Sequence, residues 1–508
     1  MDVYLPGLIA VIVLYVLIFA VGVWAGRQTG SGDTSSGGST TELLLAGRSL
    51  PLWVGLRTMT ATWVGGGYIN GTASTTYSLG VLWGGQAGLG YAASLIVGGL
   101  FYARRMRRAG HTTLIDPLQQ RYGNAAAAIL MVPAVVAELC WSAAILVALG
   151  TTFGVVLGIE DTTTSILISA TVAVAYTVLG GLRAVAYTDV VQLFLIFGGL
   201  LLAIPFVVAA AGGLPALTVA PLAPATAYEA VSYGDWFILL MLGGIPWNVY
   251  FQRVLSSRDE NSAAGLSLAA GVVCAVMAIP PVLLGLAAQQ LDWGVLLQGT
   301  NIDAVALTER WANDASDVLP YLMRYAVPQW VGIIGLGAVS AAVMSSVDSS
   351  ILSGASLVAW NGYRQLYDPD VDAATMTRIV RILIVVLGIL ATIIGLRVQS
   401  IGLLWYLCGD IVYCVLFPVL TLALFDPHAN RTGALTGLAA SVFLRFSGGV
   451  DVLGIPAFLP WPSVEEFGGY EFPFRTLAML TGLITTLVVS RVTASFDPPQ
   501  PLAGHPDA

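Results

Sequence analysis

Lysine is absent from this 508-residue chain: its 21 basic residues are all arginine, so it has neither a Walker-A lysine nor a Schiff-base lysine. ATP hydrolysis through a P-loop is excluded, and no enzymatic activity or catalytic residue is expected. Charge is scarce, at 10% of residues against 57% hydrophobic, far below the roughly one-quarter charged fraction of a soluble domain. A net charge of −8 leaves no basic stripe for nucleic acid. His111, His428 and His505 fall in loops or the tail and form no ligand cluster. Cys140, Cys274, Cys408 and Cys414 all fall inside apolar runs, where cysteine packs as a small hydrophobe more often than it pairs or ligates metal.

What the chain has in abundance is apolar runs, recurring from Gly7 to Ser490 with polar breaks between them. Each is about long enough to cross a ~30 Å hydrocarbon core. The predicted spans are 7–24, 50–79, 81–102, 125–157, 165–180, 190–211, 236–254, 263–288, 331–358, 379–396, 401–425, 433–450 and 475–490. This makes an all-α, multi-pass protein of about 13 transmembrane helices in the plasma (cytoplasmic) membrane. The first run follows Asp2 rather than a basic region and lacks a small-x-small cleavage site, so it reads as a retained helix.

Placing the N-terminus outside and the C-terminus inside puts Arg104, Arg105, Arg107, Arg108, Arg183, Arg253, Arg258, Arg378 and Arg381 on or beside the cytoplasmic side. Only Arg310, Arg324, Arg397, Arg445 and Arg475 fall elsewhere. The Gly/Ser/Thr-rich stretch 28–41 reads as a flexible linker, and residues 491–508 as a short cytoplasmic tail.

Two spans are interrupted as ordinary membrane helices are not: the second by Thr60-Ala-Thr-Trp-Val-Gly-Gly-Gly-Tyr-Ile-Asn-Gly71, the seventh by Leu242-Gly-Gly-Ile-Pro-Trp247. Glycine and proline free backbone groups in mid-membrane, a cost of several kcal/mol unless those groups line a cavity or bind an ion. The two lie five helices apart, the odd offset expected of inverted repeats.

Tryptophan usually sits in the interfacial belt. Trp63, Trp141 and Trp247 instead fall near mid-span, as does Tyr91. Such rings would suit a quaternary ammonium, which has no N–H to donate but is attracted to aromatic faces, at about 2 kcal/mol per desolvated contact. Filling core volume is an equally open reading of the same pattern. In the ninth span Ala342, Ser345, Ser346 and Ser349 share one helix face, with Asp348 beside them. Their oxygens suit a hard cation such as sodium, and an acid inside an apolar span points to an ion or proton pathway. Glu138 and Asp410 are further intramembrane acids without an assigned role. The run from Leu179 to Gln192 reads as a compact cytoplasmic turn in which Arg183 and Asp189 have a gating or structural role.

These residues also carry a family resemblance. Gly-Gly-Leu…Tyr-Thr-Asp-x-x-Gln at 180–192, Thr58–Thr72, Leu242–Trp247 with Tyr250–Ser257, and Gly335–Ser346 with Asp-Ser-Ser at 348–350 resemble the sodium/solute symporter family and, within it, the high-affinity choline transporter branch. The resemblance implies a LeuT-like five-plus-five inverted repeat, with residues 50–211 as the first repeat and 236–425 as the second. An extra helix at 7–24 precedes them and two C-terminal helices at 433–490 follow. It implies sodium-coupled choline uptake by alternating access, with Trp63, Tyr91, Trp141 and Trp247 as a substrate cage. The Thr60, Trp63 and Ala342 carbonyls and the Ser345 and Ser346 hydroxyls would form a sodium site. Ser349 shares their face, and Asp348 would be an additional sodium ligand. Family members of this branch also depend on chloride, for which no residues are assigned. Two other readings stay open: a sodium-coupled symporter for betaine, proline or another small solute, and a non-transporting sensor on a symporter scaffold. Membrane lipid and a small organic cation are the expected partners.

Overall fold

The computed structural model describes residues 4–27, 38–158, 161–178, 182–217, 219, 221–450 and 454–502. Helix covers the core of every predicted span, and the only bridges among the described residues are the isolated pairs Leu50–Ser257 and Val450–Ile455. Nine of the described helices, some of them joined end to end, are long and apolar enough to cross a membrane.

The chain opens with α1 (Leu5–Arg27), whose outer faces expose Ile9, Ile12, Val13, Val16 and Phe19. It is followed by α2 (Leu52–Trp63), α3 (Gly66–Gly84), α4 (Gln86–Val97), α5 (Asn124–Leu157), α6 (Thr162–Thr177) and α7 (Leu182–Ala210). The second half runs through α8 (Ala227–Gly243), α9 (Asn248–Leu255), α10 (Glu260–Met277), α11 (Ile279–Gln289), α12 (Gln329–Leu357) and α13 (Ala373–Val398). It ends with α14 (Ile401–Ile411), α15 (Phe417–Phe425), α16 (Arg431–Ser447) and α17 (Phe474–Thr493). Several helices begin at side chains that satisfy free amides: Asp259 caps α10, Asp372 caps α13, Ser400 caps α14 and Asn430 caps α16.

Burial sorts the helices into layers. Only 22% of the most apolar window of α1 is buried, against 78% for α12 and 89% for the α14–α15 segment. The last two therefore form the centre, and α1 lies at the rim where lipid would solvate it.

Both predicted interruptions are real helix breaks. Between α2 and α3, Val64 leaves the helix (φ −87°, ψ 52°) and Gly65 is extended (φ −88°, ψ −170°). Between α8 and α9 the chain turns through Gly244 and passes an extended Trp247 (φ −106°, ψ 133°). Close approach explains the glycine at each. A Cβ on Gly65 would lie 1.6 Å from Ser346 Oγ, and one on Gly244 would lie 2.4 Å from Ser94 Oγ.

The structure corrects two expectations and adds one feature. Residues 182–192, expected in a turn, are the first turns of α7, while 179–181 lie outside the described residues. Residues 38–41 of the supposed linker start a short helix, Gly38–Leu45, and 28–37 are not described. The connection between α11 and α12 contains short helices at Trp293–Leu296, Ala304–Trp311 and Val318–Tyr325 that hydropathy does not signal.

Gly65→Ala should destabilise the protein by about 1–3 kcal/mol through overpacking. Gly71→Ala, where an added Cβ meets nothing within 4 Å, should be neutral. Melting of the two variants in detergent separates these outcomes.

Candidate functional site: an aromatic cavity beside two helix breaks

A cavity lies where the two breaks face each other. Trp63 comes from the end of α2, Gly65 from the first break, Gly67 and Tyr68 from α3 and Tyr91 from α4. Trp141 of α5, Gly244 and Trp247 of the second break, Ser346 of α12, and Trp405 and Cys408 of α14 complete most of its wall. All four expected cage residues thus line one space. No charged side chain is among its lining residues.

The rings pack edge to face rather than filling the cavity. Trp141 meets Trp247 at 5.3 Å between centroids with 64° between planes, and Tyr91 meets Trp405 at 5.8 Å and 82°. Trp247 is fixed by the break that carries it: its Nε1–H donates to the Gly243 carbonyl at 2.8 Å. That bond satisfies a carbonyl at the C-terminal end of α8 and holds the indole over the cavity. Tyr68 donates to the Cys274 carbonyl at 2.8 Å.

Trp405 and Tyr68 were absent from the expected cage. Trp405 is the fifth residue of α14, where a tryptophan reads as part of the interfacial belt. The ring of its neighbour Tyr406 lies 4.3 Å from that of Trp236 between centroids, with the planes tilted by 57°. Of the two neighbours, Trp405 lines the cavity.

The expected cation-binding residues separate into two groups. At the first break, Ser345 Oγ donates to the Ala61 and Ala342 carbonyls at 3.1 and 3.0 Å, and Ser346 Oγ to Ala342 at 3.4 Å. Each hydroxyl gives its proton to a carbonyl, leaving its lone pairs for a cation. The Thr60 carbonyl accepts the Val64 amide at 2.8 Å at the end of α2, and Trp63 follows at the break itself.

One turn deeper, Ser349 Oγ accepts from Arg253 Nη2 at 2.6 Å, so Ser349 belongs to a separate charged cluster. Arg253 Nη2 also stands 3.7 Å from Asp189 Oδ2, which accepts from Thr58 Oγ1 at 2.5 Å. Arg253, Asp189 and Asp348 are wholly buried. Both carboxylate oxygens of Asp348 lack a hydrogen-bond partner within the protein. Arg253 is the cation that faces Asp189, Asp348 and Glu138 together. An ionised buried carboxylate without a partner costs several kcal/mol, so Asp348 has the chemistry of a cation ligand.

The remaining acids and arginines find distinct places. Arg183 pairs with Glu42 at 2.8 Å and donates to Ser49 Oγ at 3.1 Å, tying α7 to the segment before α2. Asp410 is held by Arg445 and by Arg475, the latter at 2.9 Å, and the Arg475 guanidinium lies 3.8 Å from the Trp236 ring centre. Arg445 and Arg475 depart from the positive-inside pattern because they neutralise a carboxylate within the protein. Glu138 accepts from Ser353 Oγ at 2.6 Å through one oxygen, and its other oxygen has no partner.

The profile of the sodium:solute symporter family matches residues 43–440. The high-affinity choline transporter 1 of Caenorhabditis elegans is 45% identical over 497 residues, covering 96% of this chain and 85% of that protein. The human high affinity choline transporter 1 is 42% identical over 505 residues, again covering 96% and 85%. A substrate-bound, outward-open structure of a sodium-coupled sialic acid symporter superposes with a TM-score of 0.77 at 16% identity. It covers 96% of this chain and 97% of that one, which shows a shared all-α transporter fold.

Because Cys408 lines the cavity, a thiosulfonate bearing a trimethylammonium group should label it. Cys408→Ala should remove most of that labelling in mass spectra of the intact protein. Unchanged labelling would place the reactive thiol elsewhere.

Proposed function

Because this chain belongs to the sodium:solute symporter family, within its high-affinity choline transporter branch, we propose that it carries choline inward with sodium by alternating access. The observation that carries this reading is the composition of the cavity: Trp63, Tyr68, Tyr91, Trp141, Trp247 and Trp405 line it, and no charged side chain does. A quaternary ammonium brings a charge it cannot lose and no N–H to donate. Ring faces stabilise it at about 2 kcal/mol per desolvated contact without adding a carboxylate that would hold it too tightly to release. The choline hydroxyl has a suitable partner in Ser346.

Sodium binds, in this reading, between the Thr60, Trp63 and Ala342 carbonyls and the Ser345 and Ser346 hydroxyls, with a further ion drawn to Asp348 near Ser349. Ser346 and Trp63 then serve both ligands, Ser346 through one hydroxyl and Trp63 through its carbonyl and its ring. A cation that orders these groups favours the substrate-competent state, and coupling follows from its different affinity for the two states. Arg183 holds the inner end of α7 against the segment before α2, and Asp189 holds it against α2 and α9.

The repeats assigned are α2 to α7 and α8 to α15, each beginning with a broken helix, within a thirteen-crossing topology with the N-terminus outside. The arginine distribution supports that orientation. The branch resemblance adds chloride dependence, tested by replacing chloride with gluconate during uptake.

Reconstituted in liposomes, the protein should accumulate labelled choline under an inward sodium gradient and cease when that gradient collapses. Uptake indifferent to sodium would contradict the coupling, and stronger competition by betaine or proline than by unlabelled choline would shift the substrate. Trp247→Phe should keep more choline affinity than Trp247→Ala, which should lose about 2 kcal/mol, or roughly 30-fold. Equal losses in a binding titration would mean that shape rather than the ring face matters.

A further inference from the structure

Beyond one end of the cavity, one serine hydroxyl joins three helices. Ser353 of α12 lies about two turns beyond Ser346. Its Oγ donates to Glu138 Oε1 at 2.6 Å and accepts from Asn248 Nδ2 at 3.1 Å, while its carbonyl accepts from the same Asn248 nitrogen at 3.2 Å. Asn248 Oδ1 in turn accepts the Leu114 amide at 3.1 Å. Exposure is 3% for Glu138, 1% for Asn248 and 0% for Ser353, so water cannot substitute for any of these bonds.

The sequence positions of the partners give the triad its interest. Glu138 lies one turn before Trp141 on α5, and Asn248 directly follows Trp247 at the start of α9. The two tryptophans that meet at 5.3 Å in the cavity are therefore both anchored, through adjacent backbone, to one side chain of α12. That helix also carries Ala342, Ser345, Ser346 and Asp348. A second bond, Ser142 Oγ to Ser350 Oγ at 2.9 Å, joins the same faces of α5 and α12.

The triad is incompletely satisfied. Glu138 Oε2 is buried without a partner, and the backbone amide of Val249, near the start of α9, faces this carboxylate. A buried carboxylate held by one hydroxyl depends strongly on the position of that hydroxyl, because its loss leaves the full desolvation penalty. A small displacement of α12 would therefore be felt at α5 and α9 together.

We infer that Glu138, Ser353 and Asn248 transmit the occupancy of the cation site on α12 to the Trp141–Trp247 pair, so that choline affinity depends on sodium partly through this triad. The inference rests on the sodium and choline reading above for the identity of the ligands. Ser353 and Glu138 are positioning residues: neither is among the residues lining the cavity. A merely structural role would weaken choline binding equally with and without sodium. Transmission weakens only the sodium dependence.

The test is the choline Kd of the purified full-length protein, measured in sodium and again with potassium replacing it. Wild type should bind choline about 10-fold or more tightly in sodium, within the usual range of coupling between sites. Ser353→Ala should reduce that ratio to below about 3-fold while leaving the potassium value within about 2-fold, and Ser353→Thr, which keeps the hydroxyl, should restore it. Should Ser353→Ala not fold, Glu138→Ala gives the same comparison. A wild type that responds to sodium while Ser353→Ala or Glu138→Ala responds equally overturns the triad alone. A wild type indifferent to sodium overturns the underlying sodium reading and the triad with it.

Discussion

A peptide group freed from its helix inside hydrocarbon has no water to turn to, and the centre of this protein is arranged around two places where that happens. At Val64–Gly65 the chain leaves the helix against α12, close enough that only glycine fits beside Ser346. At Gly244–Trp247 the Trp247 indole takes up the Gly243 carbonyl and is thereby oriented toward the cavity. The breaks thus generate the site: one places carbonyls beside serine hydroxyls, and the other places an aromatic face opposite them.

The electrostatics follow a division of labour. The substrate cavity is lined by rings and small polar groups, while the full charges lie deeper, where Arg253 faces Asp189, Asp348 and Glu138. Both oxygens of Asp348 and one oxygen each of Asp189 and Glu138 lack a hydrogen-bond partner within the protein. Farther out, Asp410 is matched by Arg445 and Arg475, so the wall formed by α14, α16 and α17 needs no ion to be neutral.

Much of this was legible in the sequence because membrane depth constrains residue choice. Trp63, Trp141, Trp247 and Tyr91 stood out as aromatics in mid-span, and they do line one space. The breaks were readable from glycine and proline in corresponding runs. What escaped was whatever depends on partners distant in sequence. Trp405 was not singled out, and the separation of Ser349 from Ser345 and Ser346 follows from Arg253, which arrives from α9. The first turns of α7 read as a loop because Arg183, Tyr187, Thr188, Asp189 and Gln192 interrupt the apolar pattern. Their polarity reflects Glu42, Ser49, Thr58 and Arg253 packed against that end of the helix rather than exposure to water.

On the proposed reading, ring faces rather than shape hold the positive charge of the substrate. This reading is tested most directly by comparing the Kd of choline with that of its uncharged tert-butyl isostere, 3,3-dimethylbutan-1-ol, under saturating sodium. Loss of even one desolvated cation–π contact, about 2 kcal/mol, predicts at least roughly 30-fold weaker binding of the neutral compound. Equal affinity for the two would contradict the account.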